Sequence, residues 1–272
     1  MNVTDTFSFL DYGFIQRAYL AGAFVGALSA VLGLFLVLRR FSLIGDGLSH
    51  VSFGAIALGL FLGLPPFSVT VPVAILASYF ILRLSHRTRL YGDAAIGVVS
   101  ASGVAIGVVL ASLGGGFNVD LMSHLFGNIL AVSPTEVLWS VVLSVVVILL
   151  SVLFYHDLFS TTFDEEFARV SGIRADALSA LLSALTAVSV ALSIRVVGVM
   201  LVSALLVLPA VSALQIARSF RVALVLSALF SVSSVLFGIT LSFLADLPAG
   251  GVIVLSSLVV FLVLLGWKRL VS

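Results

Sequence analysis

The 272-residue chain contains no cysteine and very few charged residues. The absence of cysteine excludes disulfides, thiolate metal sites and cysteine nucleophiles. Charged residues make up 9% of the chain, against about 25% in an ordinary soluble domain, while hydrophobic residues make up 61%. So little charge cannot cover a water-facing surface, and most of the surface must therefore face lipid. The composition predicts an all-α, polytopic transmembrane helical protein.

The chain also lacks the motifs of several enzyme and nucleotide-binding classes. It has no GxxxxGK[ST] sequence, so it does not bind ATP through a P-loop of its own. It has no HExxH pair and no GxSxG elbow, which leaves intramembrane catalysis with little support. No basic patch indicates nucleic-acid binding. We therefore expect a non-catalytic protein without a permanently bound cofactor.

Nine segments are long and apolar enough to cross a bilayer as helices, which takes about 20 residues each. They cover residues 18–38, 43–62, 67–84, 94–113, 134–155, 177–193, 196–216, 222–244 and 250–267. The connections are short, which predicts a single transmembrane domain over residues 1–272. An eight-span alternative is open, and the glycine-rich, then apolar stretch 114–131 is a candidate re-entrant segment.

The distribution of lysine and arginine predicts the orientation. If nine spans alternate, eleven of the thirteen basic residues fall on one side, and only Arg17 and Arg195 fall on the other. The eleven are Arg39, Arg40, Arg83, Arg87, Arg89, Arg169, Arg174, Arg218, Arg221, Lys268 and Arg269. Short cytoplasmic loops carry the excess of positive charge. We expect an N-terminus outside the cell (plasma or inner) membrane and a cytoplasmic C-terminus.

Asp46 and His50 are the ionisable residues within a span that most need an explanation, since such residues are costly in a membrane. Four residues apart, they share one face of a helix. A carboxylate and an imidazole form half of a coordination site for a divalent first-row metal, and two copies of the chain would supply four ligands. The alternative is that Asp46 caps the second span and His50 hydrogen-bonds a neighbouring helix.

The longest polar segment, residues 161–176, predicts a short cytoplasmic helix over about 162–173. Thr161 or Thr162 can cap its start, and Gly172 can end it. The acidic residues expected in its first turn are Asp164, Glu165 and Glu166. The apolar residues that recur on one side are Phe163, Phe167 and Val170. This pattern favours contact with a protein partner over the alternative, a helix lying on lipid.

Three further residues are weaker candidates for a transport pathway. His124 lies in the 114–131 stretch, where it would meet an incoming ligand from outside. Pro209 interrupts the seventh span, which either lines the pathway or only kinks the helix. Asp246 lies beside Pro248 on the outer side, where it either contacts a partner or is solvated.

At these residues the sequence resembles the membrane permeases of zinc and manganese ABC importers, the ABC-3 type, over nearly the whole chain. The strongest matches are Leu38-Arg39-Arg40 and the string Ile-Gly-Asp-Gly-Leu-Ser-His at 44–50. The other matching segments are 125–133, 164–173, 198–202, 208–210 and 248–251. One departure follows the histidine, where many members have Pro-Gly and this chain has Phe53-Gly54.

The resemblance implies a type II ABC importer-like permease that forms a homodimer and works with two cytoplasmic ATPases and an extracytoplasmic metal-binding protein. It implies that Asp46 and His50 line or bind the metal, which is transported zinc, manganese or iron. It also implies a coupling helix that docks on the ATPase. The residues assigned to that helix are Asp164, Glu165, Glu166, Phe167, Ala168 and Gly172.

Two other functions remain open at the level of sequence. One is a stand-alone secondary transporter that uses Asp46 and His50 as a proton or cation relay and needs no ATPase. The other is an ABC permease that imports a metal chelate, which would need a wider cavity and would tolerate the loss of Asp46.

Overall fold

A computed structural model describes residues 12–88, 92–115 and 119–271 of the chain. Within those ranges the chain forms twelve α-helices and two short 3-10 turns, Ile129–Ala131 and Val199–Leu201. The helices are α1 Gly13–Leu38, α2 Ile44–Phe61, α3 Pro66–Thr88, α4 Gly92–Leu113, α5 Val119–Phe126, α6 Pro134–Leu153, α7 Tyr155–Phe163, α8 Glu165–Val170, α9 Ala175–Val197, α10 Val202–Ile216, α11 Phe220–Ala245 and α12 Ala249–Val271.

Nine helices in this described part of the chain are long and apolar enough to cross a membrane. They are α1–α4, α6 and α9–α12, with the turn before α10 counted in its span. Helices are favoured in lipid because they satisfy their backbone hydrogen bonds internally. The all-α, nine-span prediction is confirmed. In its described residues, the 114–131 stretch forms the eight-residue helix α5 and the short turn Ile129–Ala131, and no helix of spanning length.

Among the span boundaries that differ from those predicted, two have a clear physical cause. The helix α1 begins at Gly13, five residues before the predicted start. The additional turn includes Arg17 and is stabilised by Ile15, which is buried in the core. The seventh span is interrupted at its start, because Gly198 adopts a φ of 83° and a 3-10 turn precedes α10. Hydropathy does not reveal these two boundaries. A spanning helix tolerates a single charged residue such as Arg17 near its end, and the glycine at position 198 does not lower the hydropathy of the segment around it.

The centre of the bundle consists of α1, α2 and α9. The helix α1 packs against α6, α9, α10 and α11, while α2 lies between α3 and α4. Small polar residues mediate part of this packing: Ser29 on α1 lies 2.9 Å from Ser193 on α9, with both hydroxyls buried. The remaining spans expose large apolar side chains on their outer faces, as expected of helices in contact with lipid.

Contacts between distant residues show which helix ends lie together. At one end Arg39 contacts Ser179, and Phe220 packs its ring against Phe35 and Phe159. We call this the basic end, because Arg39 and Arg169 lie together there beside Glu165. At the opposite end Arg195 forms an ion pair with Glu136, which joins the end of α9 to the start of α6.

Candidate functional sites

Asp46 and His50 lie together on α2, with His50 Nε2 3.5 Å from Asp46 Oδ2. The pair is open, since 47% of the Asp46 side chain and 32% of the His50 side chain are exposed. The residues between them are buried. The helix therefore presents its carboxylate and imidazole to one open side and packs its other faces into the bundle.

The capping alternative for Asp46 is not observed. The cap position of α2 is Leu43, without a side-chain hydrogen bond, and Asp46 is the third residue of the helix, within its first turn. Ser49 donates a hydrogen bond to the Asp46 carbonyl at 2.8 Å, and the Asp46 carboxylate faces His50. The two side chains can therefore offer one oxygen and one nitrogen ligand to a cation.

A single copy of the chain supplies only part of a metal site here. Among the residues that the structure describes, no group of three or more His, Cys, Asp or Glu side chains is close enough to hold an ion. Zinc in proteins takes about four ligands, of which at least three usually come from protein. Any ion held by Asp46 and His50 therefore requires ligands other than the carboxylate and imidazole groups that the structure describes in one copy.

Glycines position α2 by letting its neighbours approach closely. A side chain at Gly54 would lie 2.6 Å from the Gly103 carbonyl oxygen on α4. Phe53, which replaces the more common proline, is buried with its ring against Gly107. The departure from the family pattern is thus accommodated inside the α2–α4 contact, and it leaves Asp46 and His50 in place.

The predicted coupling helix is present as α8, but it is shorter than the predicted 162–173. Thr161 and Thr162 belong to the preceding helix α7 and donate hydrogen bonds within it, so neither caps α8. The cap is Asp164, whose carboxylate accepts a hydrogen bond from the Phe167 amide at 2.8 Å. Asp164 directly precedes the first residue of α8, so its carboxylate reaches the free amides of the first turn, whereas Thr161 and Thr162 still lie inside α7.

The faces of α8 differ sharply. Ala168 is fully buried, whereas 65% of Phe167 and 89% of Val170 are exposed. Glu165 is half-buried and Glu166 is exposed. Gly172 ends the helix with a φ of 85°, as predicted. The helix thus lies on the basic end with an apolar patch facing outward.

A network of charges joins α8 to the rest of the basic end. Arg39 Nη2 lies 3.9 Å from Glu165 Oε2, and Arg169 Nη2 lies 2.7 Å from both Glu165 and Asp176. Burial lowers the pKa of the Arg39 guanidinium from its ordinary value, while the Glu165 charge opposes that shift. The hydrogen bond to Glu165, together with the charges of Asp176 and Glu165, raises the pKa of Arg169.

The sequence analysis used Arg39 as a marker of orientation and as part of the family resemblance, and did not assign it a role. Arg39 could have been singled out from the sequence by its position, since it lies at the end of the first span and a few residues before the Asp46–His50 motif. Its partners lie more than 120 positions away along the chain, as the separation of 122 residues to Thr161 shows. No local pattern reveals such a contact.

The three weaker candidates do not lie with Asp46 and His50 in one cluster. His124 is 7% exposed and lies at the opposite end, beside Arg195 and Thr70. Pro209 is buried inside α10. Asp246 is exposed in the turn after α11, where it adopts a φ of 51° that aspartate tolerates better than most residues. Their roles in a pathway remain predictions.

Together, the nine apolar spans and an open polar pair on a buried central helix define a polytopic membrane transport protein. The chain matches the ABC 3 transport family over residues 11–268 and belongs to that family. It is accordingly a membrane permease with no catalytic role of its own. The predicted family is confirmed, and the stand-alone secondary transporter is not favoured.

Several relatives align over almost the entire chain. A probable metal transport system membrane protein of Thermotoga maritima is 33% identical over 256 residues, covering 94% of this chain and 90% of its own. The manganese transport system membrane protein MntC of Halalkalibacterium halodurans is 33% identical and covers 93% and 86%. The zinc uptake system membrane protein ZnuB of Haemophilus influenzae is 32% identical and covers 93% and 96%.

Solved structures agree with the fold. PsaBC from Streptococcus pneumoniae, solved in complex with Fab, superposes with a TM-score of 0.87 at 30% identity, covering 97% of this chain and 95% of that one. A metal-chelate type ABC transporter in an inward-facing conformation has a TM-score of 0.76 at 18% identity, covering 92% and 85%. At 18% identity, the second structure supports the fold of the chain and not its function.

Proposed function

We propose that this chain is the permease subunit of an ATP-driven importer of zinc or manganese ions. The observation that carries the proposal is the open Asp46–His50 pair on α2, a helix that is otherwise largely buried. Relatives that align over most of their length are named as manganese and zinc transport proteins, which supports the choice of cargo. The oxygen and nitrogen ligands suit either ion, and the chain has no thiolate to select a softer metal.

The metal passes between two protomers near Asp46 and His50. One chain supplies two of the ligands that an ion needs, and a two-fold axis beside α2 would bring two carboxylates and two imidazoles together. The exposure of the pair supports this arrangement, because a carboxylate facing lipid is costly whereas one facing a partner and water is not. The permease therefore works as a homodimer.

Cytoplasmic ATPases bind the basic end through α8. The exposed side chains of Phe167 and Val170 form an apolar patch that projects from the bundle, and Glu166 provides a charge beside it. Buried Ala168 lets the inner face of the helix lie close against the spans. ATP-driven closure of the ATPases then moves α8 and switches access to the metal.

The protein lies in the cell (plasma or inner) membrane with its basic end in the cytoplasm. Arg39, Arg169 and Lys268 all lie at helix ends on that side, and the positive-inside rule assigns such an end to the cytoplasm. The N-terminus is then outside, the C-terminus is cytoplasmic, and residues 1–272 form one permease domain. An extracytoplasmic metal-binding protein delivers the ion to the opposite end.

Substitution of the metal pair tests the proposal. We expect Asp46→Ala and His50→Ala, together with the shape-preserving Asp46→Asn, to lower uptake by at least about 100-fold. Loss of a residue that merely supports a metal ligand already costs about 10–100-fold. The measurement is uptake of Zn²⁺ and Mn²⁺ into vesicles that contain the permease and its ATPase, with co-purification as the check on assembly.

Asp93→Asn is the matched control, since Asp93 is also a carboxylate in the first turn of a spanning helix but is exposed at the start of α4. It should transport normally. Normal uptake by an Asp46 or His50 variant would contradict the metal role, and a wild-type complex that moves neither ion would contradict the proposed cargo.

A further inference from the structure

The guanidinium of Arg39 lies where four helices meet at the basic end. Arg39 directly follows α1, and its Nη2 atom donates to the Ser179 hydroxyl on α9 at 3.0 Å and to the Thr161 carbonyl in α7 at 3.3 Å. The same atom lies 3.9 Å from Glu165, the first residue of α8. Only 14% of the Arg39 side chain is exposed. One planar cation thus contacts three helices besides its own.

Each of these contacts has a clear chemical reason. The Thr161 carbonyl belongs to the last turn of α7, where carbonyls have no partner within the helix. A cation at that position satisfies the carbonyl and complements the helix dipole. Since Arg39 is largely withdrawn from water, its charge needs a counter-charge, and Glu165 is the carboxylate within ion-pair distance.

Glu165 is shared unequally between two cations. It lies 2.7 Å from Arg169, in the same helix, and 3.9 Å from Arg39. Arg169 in turn contacts Asp176 in the first turn of α9 at 2.7 Å. Because Glu165 and Arg169 belong to the same helix, a displacement of α8 leaves their pair intact and changes the distance from Glu165 to Arg39. The contact with Arg39 is therefore the one that responds to movement of α8.

The connection from Arg39 to the metal pair is short and hydrogen-bonded. Arg40 adopts a φ of 56°, its amide donates to the Val37 carbonyl at 3.1 Å, and the Phe41 amide donates to the Leu36 carbonyl at 2.9 Å. These bonds form a Schellman turn, which holds the end of a helix in one geometry. The helix α2 begins at Ile44, and Asp46 lies in its first turn. Movement of Arg39 is therefore passed directly to the start of α2.

A cavity gives this junction room to rearrange. It has a volume of about 190 Å³ and lies between Glu165, Arg39, Phe41, Ile44 and Leu182. Protein interiors are otherwise packed as densely as organic crystals, which opposes movement of charged side chains. Here the side chains of Arg39 and Glu165 border open space on the side that leads to α2.

We propose that Arg39 is the positioning residue that transmits movement of α8 to α2 and thereby to Asp46 and His50. The inference rests on the proposed function, in which α8 docks on the ATPase. When the ATPase moves α8, Glu165 changes its distance to Arg39, and the Schellman turn carries the change to the start of α2. Arg39 contacts neither the metal nor the ATPase in this scheme.

The test measures the number of metal ions transported per ATP hydrolysed by the permease–ATPase complex in vesicles. We expect Arg39→Gln and Glu165→Gln to lower this ratio by about tenfold, the size of an ordinary coupling between two sites. ATPase co-purification and ATP hydrolysis without metal should be retained in Arg39→Gln, because Arg39 lies outside the helix that docks on the ATPase. Because the readout is a ratio, a smaller amount of folded protein does not change it, which separates coupling from a purely structural role.

Each control variant changes either the residue next to Arg39 or another carboxylate residue. Arg40→Gln removes the adjacent, exposed arginine, and Asp93→Asn removes an exposed carboxylate, so both should keep the wild-type ratio. The double variant Arg39→Gln/Glu165→Gln should lose no more than either single variant, because both remove the same contact. Additive losses in the double variant would overturn the inference.

The possible failures are distinguishable. A wild-type complex that hydrolyses ATP but moves neither Zn²⁺ nor Mn²⁺ contradicts the proposed function. Wild-type transport with an unchanged ratio in Arg39→Gln contradicts only the role of Arg39. If Arg39→Gln does not assemble, Glu165→Gln decides, because it leaves the hydrogen bonds of Arg39 to Thr161 and Ser179 intact; an unchanged ratio there overturns the inference.

Discussion

The two ends of the bundle are held together by different means. At the basic end, charged side chains join the helices: Arg39 and Arg169 both approach Glu165. At the opposite end, direct contact between backbones accompanies the single ion pair Arg195–Glu136 described there. A side chain at Gly198 would overlap the backbone around Gly127, and one at Gly250 would overlap the Val197 carbonyl.

This difference indicates which end of the bundle can change conformation more easily. Backbones in direct contact have no alternative arrangement, since any shift opens a gap or creates a clash. At the basic end, the Arg39–Glu165 contact is 3.9 Å long and borders a cavity of about 190 Å³, so this distance can change. We therefore expect the opposite end to remain fixed while the basic end responds to the ATPase, and the following experiments test that contrast.

The largest expected effect is on stability at the opposite end. Gly198→Ala places a Cβ at a residue whose φ is 83°, against the backbone of Leu125 and Phe126. We expect a loss of at least about 3 kcal/mol in the free energy of unfolding, from backbone strain and overpacking together. The measurement is the yield and thermal stability of the monodisperse protein extracted from membranes.

Gly251→Ala is the control, because a side chain at Gly251 meets nothing within 4 Å. It should behave as the wild type does. A Gly198→Ala protein that is as stable as the wild type would show that backbone contact does not hold the opposite end rigid, and the contrast between the ends would fail.

A smaller effect is expected on ATPase binding at the basic end. Phe167→Ala removes the aromatic ring at the centre of the exposed face of α8. We expect the affinity for the ATPase to fall by about 2 kcal/mol, or roughly 30-fold, as for an aromatic interface anchor. Titration of the ATPase against the permease in detergent or nanodiscs measures the effect.

Phe237→Ala is a matched control, since Phe237 on α11 is 61% exposed against 65% for Phe167 but lies on a spanning helix. It should bind the ATPase normally. Glu166→Lys should also weaken binding, because it reverses a charge beside the ring. Unchanged co-purification of both Phe167→Ala and Glu166→Lys would show that α8 is not the docking helix.

The smallest expected effect concerns the ion pair at the opposite end. Arg195 and Glu136 are each less than a third exposed. Exposed pairs contribute about 0.2–1 kcal/mol and breaking buried pairs costs about 3–5 kcal/mol, so we expect Arg195→Gln to lower stability by about 1–2 kcal/mol. Thermal unfolding in one lipid composition measures the loss.

Arg195→Gln should leave the number of ions moved per ATP unchanged, unlike Arg39→Gln. Glu136 remains held by the capping box it forms with Ser133, so the start of α6 should persist. A fall in the transport ratio equal to that of Arg39→Gln would show that the opposite end also takes part in the switch.

Much of the fold was predictable because hydropathy is a local property. All nine spans follow from apolar stretches of bilayer length, and the one between Leu43 and Leu62 was placed to within one residue of α2. The break at Gly198 was not predictable in this way. A left-handed glycine turn is required there by the approach of Gly127, which lies about seventy positions earlier in the chain.

The candidate sites were predictable only in part. Asp46 and His50 were identified by their spacing, since four residues make one helical turn whatever the tertiary structure. Their openness was not predictable, because it depends on which face of α2 its neighbours cover. The cap of α8 was assigned to Thr161 or Thr162, and the structure corrects it to Asp164 because α7 extends through Phe163.

Composition and local spacing by themselves indicated nine candidate membrane spans, with eight as the alternative. They also predicted the orientation from the positions of the basic residues, and they placed Asp46 and His50 on one helix face. These properties depend on residues close together in the chain. Tertiary structure alone decided that Glu165 and not Glu166 turns toward Arg39, and that a cavity lies beside that contact. Those outcomes depend on the rotation and packing of helices whose contacting residues are more than 120 positions apart in the chain.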